Sequence, residues 1–188
     1  MIYFTADTHF CPNSVVGSCG QPFAGVEEMN RALVDNWNSL VTDRDDIYIP
    51  GDFMYKGKGR GTNNFLSKLK GRKYLIKGNH EKYLTDPKFK PEAFKWIHNY
   101  YVLKHEGVKI VPFHYPLLSW DGSYRGSIHV YGHVHNRRIN YPEYEEKLRL
   151  LGPKAVNAGV DVNGFYPVSI EMFYAKIKVA QAEITNNT

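Results

Sequence analysis

Residues Lys73–Glu81 read Lys-Tyr-Leu-Ile-Lys-Gly-Asn-His-Glu. The β-favouring run through Ile76 is closed by Gly78, and an amide, an imidazole and a carboxylate follow in succession. A strand over Lys73 to Lys77 is expected, with Asn79 and His80 carried out at its carboxyl end. The same arrangement recurs along the chain. Ile128 to Tyr131 is a strand closed by Gly132, and His133-Val134-His135 follows. Val108 to Phe113 leads into His114, Ile47 to Pro50 stops at Gly51-Asp52, and Ile2 to Ala6 ends in Asp7-Thr8-His9. In an open α/β sheet, ligands bind in the crevice outside the carboxyl ends of the strands. Five strand ends therefore bring Asp, Asn or His to one rim.

The intervening segments suit a layered α/β architecture. Val26, Met29, Leu33, Trp37 and Leu40 recur at helical spacing, with Glu27 and Glu28 in the first turn, where the macrodipole favours acids. Phe65, Leu66 and Leu69 suggest a short helix, and Val102-Leu103 a further strand. Ser169 is placed to cap a last helix through Ile170, Phe173, Ile177 and Ala180. With no repeat, linker or shift in composition, residues 1–188 read as one domain.

Composition narrows the class. Hydrophobic residues make up 43% and charged residues 23% of 188, which excludes collagen, coiled coil and wholesale disorder. Apolar runs fall well short of the ~20 residues of a membrane span. Met1 leads directly into Ile2-Tyr3-Phe4 with neither a basic nor an apolar leader region, so a cytoplasmic location is expected. Cys11 and Cys19 do not have zinc-site spacing and read as reduced thiols. A net charge of +5 suits an anionic partner, and a phosphate-bearing small molecule accounts for it as well as nucleic acid does.

Carboxylate, imidazole and amide donors without thiolate suit manganese, iron, zinc or similar ions. The seven donors Asp7, His9, Asp52, Asn79, His114, His133 and His135 are too many for one tetrahedral ion and about right for two. Asp52 can bridge, because a carboxylate has two oxygens whereas an imidazole nitrogen serves one metal. Two ions about 3.5–4 Å apart can clamp the attacking and leaving oxygens of a phosphoryl transfer and acidify a water between them.

The ordered set Asp-x-His, Gly-Asp, Gly-Asn-His-Glu, His and Gly-His-x-His, spanning Asp7 to His135, resembles the calcineurin-like metallophosphoesterase superfamily. Asp7-Thr8-His9-Phe10, Gly132 to Asn136 and Asn157 to Ser169 further resemble its small bacterial and phage members. The resemblance implies a four-layer αββα sandwich. It implies that Asp7, His9 and His135 hold one ion, that Asn79, His114 and His133 hold a second, and that Asp52 bridges them. His80 would contact the scissile phosphate and protonate the leaving oxygen, with a metal-bridging water or hydroxide as nucleophile. The implied cofactor is a pair of divalent ions, manganese first, with iron, nickel or zinc also fitting.

Two positions depart from the pattern. Cys11-Pro12 stands where such relatives often carry Gly-His, and Glu81 stands where many have Asp, as an acceptor that orients a neighbour. Phosphoprotein phosphatases of the superfamily follow Gly-Asp with Asp-Arg-Gly, the Arg gripping a terminal phosphate. Here Phe53-Met54-Tyr55-Lys56-Gly57 follows, without that clamp. The expected activity is hydrolysis of small cyclic or linear nucleotide-type phosphodiesters. The alternatives are a nuclease or phosphomonoesterase of the same superfamily or, less favoured, a non-catalytic scaffold. The expected partner is a small phosphate ester rather than nucleic acid or a membrane, with monomer and homodimer both open.

Other features carry bland readings. His98, His105 and His129 match no motif. Lys56–Thr62 lacks the spacing of a P-loop and reads as a solvated loop, with a phosphate grip as the alternative. Tyr55, Tyr83, Tyr115, Trp120 and Tyr124 read as packing before base stacking. The Arg137-Arg138 pair fits solvent or substrate equally. Asp161 and Asn163, among glycines, read as turn chemistry before site chemistry.

Overall fold

The computed structural model describes residues 1–11, 22–136 and 142–186. Cys19 and the Arg137-Arg138 pair lie outside them. The strands are β1 (Ile2–Phe4), β2 (Asp46–Pro50), β3 (Arg72–Ile76), β4 (Trp96–His98), β5 (Leu103–His105), β6 (Val108–Pro112), β7 (Ile128–Tyr131), β8 (Ala155–Asn157) and β9 (Val168–Ser169). The α-helices are α1 (Val26–Leu40), α2 (Gly59–Leu66), α3 (Pro142–Arg149) and α4 (Ile170–Asn186).

Two sheets form. One has the order β4-β3-β2-β1-β9 and the other β5-β6-β7-β8. Strands β1 to β4 are mutually parallel, as are β6 to β8, so both parallel sets point their carboxyl ends at connecting loops. β9 and β5 are the antiparallel edge strands.

Alternation within β2 sorts the layers. Ile47 and Ile49 face a cluster that includes Leu33 and Trp37 of α1 and Phe65 and Leu66 of α2. Tyr48, with Phe4 of β1, turns the other way onto Ile110, Ile128, Val130 and Val156 of the second sheet. Tyr131, Val134 and Leu151 form a smaller cluster, against which Leu148 of α3 packs. The result is an αββα arrangement of two sheets flanked by helices, as the sequence led us to expect. Ser169 Oγ accepts the Met172 N–H at 3.3 Å, so it caps α4 as anticipated.

The helix expected around Phe65, Leu66 and Leu69 begins earlier, at Gly59, and leaves the buried Leu69 outside it. Its start, Gly-Arg-Gly-Thr, is a weak helix former. A tertiary contact caps it instead, Asp86 accepting the Gly59 N–H at 2.9 Å, and the helix's own first bond runs from the Thr62 N–H to the Lys58 carbonyl at 3.0 Å. The second half of the Lys56–Thr62 stretch is therefore the first turn of a helix. Among the described residues, no helix is long and apolar enough to cross a membrane.

Candidate metal centre

Beyond Phe4 the chain leaves its own sheet. The Ala6 N–H donates to the Ala158 carbonyl at 2.8 Å, and the Ala6 carbonyl accepts the Val160 N–H at 3.0 Å, so β1 runs out against the end of β8. Asp7 N–H donates to the Gly51 carbonyl at 3.1 Å, tying the same exit to the end of β2. Asp7 thus lies where the carboxyl ends of both sheets meet. His9 follows it, Asp52 leaves β2, Asn79 and His80 leave β3, His114 leaves β6, and His133 and His135 leave β7.

Several of these residues sit in strained backbone. Asp7 (φ 56°), His9 (44°), Asp52 (56°), His133 (72°) and His135 (47°) all have positive φ. Such positions are uncommon outside glycine, cost on the order of 1–3 kcal/mol, and gather at functional sites. The motif glycines make room. A Cβ on Gly132 would lie 2.7 Å from both the Ala6 Cβ and Asp7 Oδ2, and one on Gly78 would collide with Asp52 Oδ1.

Two clusters result, Asp7 with His9 and His135, and Asp52 with His114 and His133. Within each, the candidate ligand atoms lie within 4.8 Å of one another. The hydrogen bonds show which atoms face inward. A carbonyl only accepts, so the His114 Nδ1–H donates to the Pro50 oxygen at 3.0 Å and Nε2 is left as a lone pair. That lone pair meets Asn79 Oδ1 at 2.9 Å and Asp52 Oδ2 at 3.5 Å. In the other cluster, His135 Nδ1 faces Asp161 Oδ2 at 3.4 Å, which turns its Nε2 to His9 Nε2 at 3.3 Å. Asp7 Oδ2 accepts the His133 N–H at 2.8 Å, while Asp7 Oδ1 is buried without a hydrogen-bond partner. Lone pairs converging on one another, with an orphaned carboxylate oxygen beside them, are what a cation would satisfy.

Asp52 stands between the clusters. Its Oδ2 is 3.7 Å from His9 Nε2, 3.5 Å from His114 Nε2 and 3.8 Å from His80 Nε2. Its Oδ1 accepts the His80 N–H at 3.0 Å. Glu81 accepts the N–H groups of Phe53 at 3.0 Å and Gly78 at 2.7 Å, bracing the loops that carry Asp52 and Asn79 against each other. Glu81 was expected to orient a neighbouring side chain, and the partners it holds here are backbone N–H groups instead.

Burial sets the electrostatics of these side chains. It pushes Asp7 up to about 8, against the opposing pull of the His135 charge. It drives His9 down to about 4 despite Asp52, and it also lowers His114. At neutral pH those two imidazoles are unprotonated donors, and the proton a cation must displace is on Asp7. A folded-state value above the ordinary carboxylate range means that this proton is held tighter folded than unfolded. It is lost only as pH rises through about 8. Apparent metal affinity is therefore expected to climb from pH 6.5 to about 8, with proton release on binding. Calorimetric titrations in buffers of differing ionisation heat check both.

Asp161 is the residue that sequence reasoning undervalued. Besides facing His135, its Oδ2 accepts the Asn136 N–H at 2.6 Å. Burial would raise its pKa, but these contacts outweigh it and hold the carboxyl below the ordinary range. Asp161 therefore fixes the ring orientation of His135, and D161A is expected to weaken metal binding ~10–100-fold. A chelator-competition titration checks this, with melting temperature as a control for folding. Asn163 instead bonds the Asn157 and Gly159 carbonyls, as turn chemistry would have it.

Of the aromatics, two reach the site. The Tyr55 ring stands 5.3 Å from that of His80, and the Tyr115 ring 4.6 Å from that of His133. Tyr83 is buried, Tyr124 is exposed, and Trp120 packs on His129. His129 is fully buried, its Nδ1–H donating to the Val111 carbonyl at 2.9 Å and its Nε2 accepting the Leu117 N–H at 3.1 Å. It is a structural histidine.

The family model for calcineurin-like phosphoesterases matches residues 1–152. The chain belongs to that family. The family implies metal-dependent hydrolysis of phosphoesters at a dinuclear divalent centre, and this phosphoesterase has two clusters that could hold the ions. A curated relative, the "Uncharacterized protein MJ1445" of Methanocaldococcus jannaschii, is 32% identical over 188 residues, 99% of this chain and 96% of that one. Among solved structures, the phosphoesterase is similar to the protein of unknown function AQ665 from Aquifex aeolicus. That likeness has a TM-score of 0.66 at 23% identity and covers 93% of this chain and 98% of the other, so it supports the fold. A predicted phosphoesterase from Streptococcus pneumoniae is more distant, with a TM-score of 0.36 and 16% identity over 71% of this chain and 62% of its own.

Proposed function

We propose that residues 1–188 act as one phosphodiesterase domain that hydrolyses small nucleotide-type diesters with two divalent ions, manganese first among them. Asp7, His9 and His135 would hold one ion and Asn79, His114 and His133 the other, with the Asp52 carboxylate shared between them. When bound, the ions supply Lewis-acid stabilisation of the phosphate oxygens and acidify a water between them. The protein's own part is orientation and proton transfer. Pro50, Asp161 and Glu81 fix the donors, and His80, partly exposed at the rim, holds the proton for the leaving oxygen.

The observation that carries diester over monoester lies just after Asp52. Phe53 and Met54 turn fully into the core. The chain then re-emerges with Tyr55, whose ring faces His80. A monoester dianion calls for a bidentate guanidinium at such a place. A diester carries one charge fewer and has a second esterified group that can rest on a ring.

The test compares an aryl phosphodiester with an aryl phosphomonoester, using metal-stripped protein resupplied with manganese. Diester turnover that depends on manganese is the expected result. Preference for the monoester would overturn the reading and point to a phosphatase, and turnover of neither with metal bound would point to a scaffold.

A further inference from the structure

A cavity of about 610 Å³ has a lining that includes Lys58, Arg60, Lys82 and Lys88 with Tyr83 and Asp86. All four cationic side chains are exposed. Asp86 is the acid among them, and it is occupied as scaffold. Its carboxylate accepts the Gly59 N–H at 2.9 Å and the Lys88 N–H at 2.9 Å, closing the cavity wall between α2 and the turn before Phe89. The wall is tight, because a Cβ on Gly59 would collide with the backbone of Phe89. The excess positive charge is therefore presented on a fixed frame.

The cavity adjoins the catalytic rim along two stretches of chain. Lys82 is two residues beyond His80, and Gly57, also in the lining, is two residues beyond Tyr55. Two peptide units span at most about 7 Å. The Lys56 ammonium lies 5.1 Å from the centre of the Tyr55 ring, extending positive charge towards His80. The cavity lining is thus tied, within two residues along each of two stretches, to side chains at the catalytic rim.

We propose that this cavity binds a second phosphate of the substrate, so that the preferred diesters carry one phosphate at the metal centre and another here. The inference rests on the diesterase reading and deepens it. The source is a small molecule with two phosphate groups; a track for nucleic acid would need basic residues continued beyond the cavity.

The test uses two chromogenic diesters with the same leaving group, the p-nitrophenyl ester of thymidine 5′-phosphate and its 3′-phosphorylated counterpart. The wild-type enzyme is expected to favour the phosphorylated compound at least about tenfold in kcat/KM, mainly through KM. The R60Q/K82Q variant should lose that preference while treating the plain diester as the wild type does. Equal use of both compounds by the wild type, or a preference that survives in the variant, would overturn the proposal. If neither diester is hydrolysed, the diesterase reading fails on its own. Pyrophosphate binding then decides the cavity: binding about tenfold weaker in the variant supports it, and unchanged binding overturns it.

Discussion

Asp52→Asn is expected to abolish activity and reduce bound metal from two ions to at most one. The carboxylate is nearly buried, and its Oδ2 is the atom within 3.8 Å of imidazole nitrogens from His9, His80 and His114. An amide of the same size would keep Oδ1 as acceptor for the His80 N–H, so loop and fold should persist. It would place N–H donors where both ions need an anion. Losing a ligand shared by the two sites forfeits several kcal/mol of charge stabilisation, a rate loss of ~10³-fold or more. Elemental analysis after dialysis, with the aryl diester assay, measures both. A variant that kept two ions would remove Asp52 from the bridging position.

His80→Ala should behave differently. His80 is partly exposed at the rim, 3.8 Å from Asp52 and in edge contact with the rings of His9 and Tyr55. His114, by contrast, is fully buried among the candidate ligands. The variant is expected to retain both ions while losing ~10²–10⁴-fold in rate, the range for a positioned general acid. The loss should shrink for a p-nitrophenolate leaving group, which departs without a proton, and grow for an alkoxide. A structural role would depress both equally, so the comparison separates the two explanations. Loss of metal on removing His80 would assign it to the ligands instead.

The site was legible for a specific reason. Asp52, Asn79 and His114 follow the five-residue parallel strands β2, β3 and β6, and the motif glycines are required by the donors packed against them, Gly51 by His114, Gly78 by Asp52 and Gly132 by Asp7. Asp161 was undervalued because, among glycines after the short β8, turn chemistry accounted for it locally. Its role depends on meeting His135 across the fold. The edge strands β4 and β9 were equally silent, having three and two residues. The start of α2 was misjudged because Asp86, 27 residues from Gly59, supplies a cap that local sequence does not announce. Local pattern revealed what strands deliver, and contacts between distant segments decided the rest.

The exit of β1 has a mechanical consequence. Each donor cluster draws on both sheets, Asp7 and His9 from the first with His135 from the second, and Asp52 from the first with His114 and His133 from the second. An ion seated in either cluster is thus a rivet through the sandwich, and the spacing of the sheets becomes part of its coordination geometry. The apolar seam of Phe4, Tyr48, Ile110 and Val130 then works as a gauge block, so that shaving a side chain there would detune the grip on metal without touching a ligand.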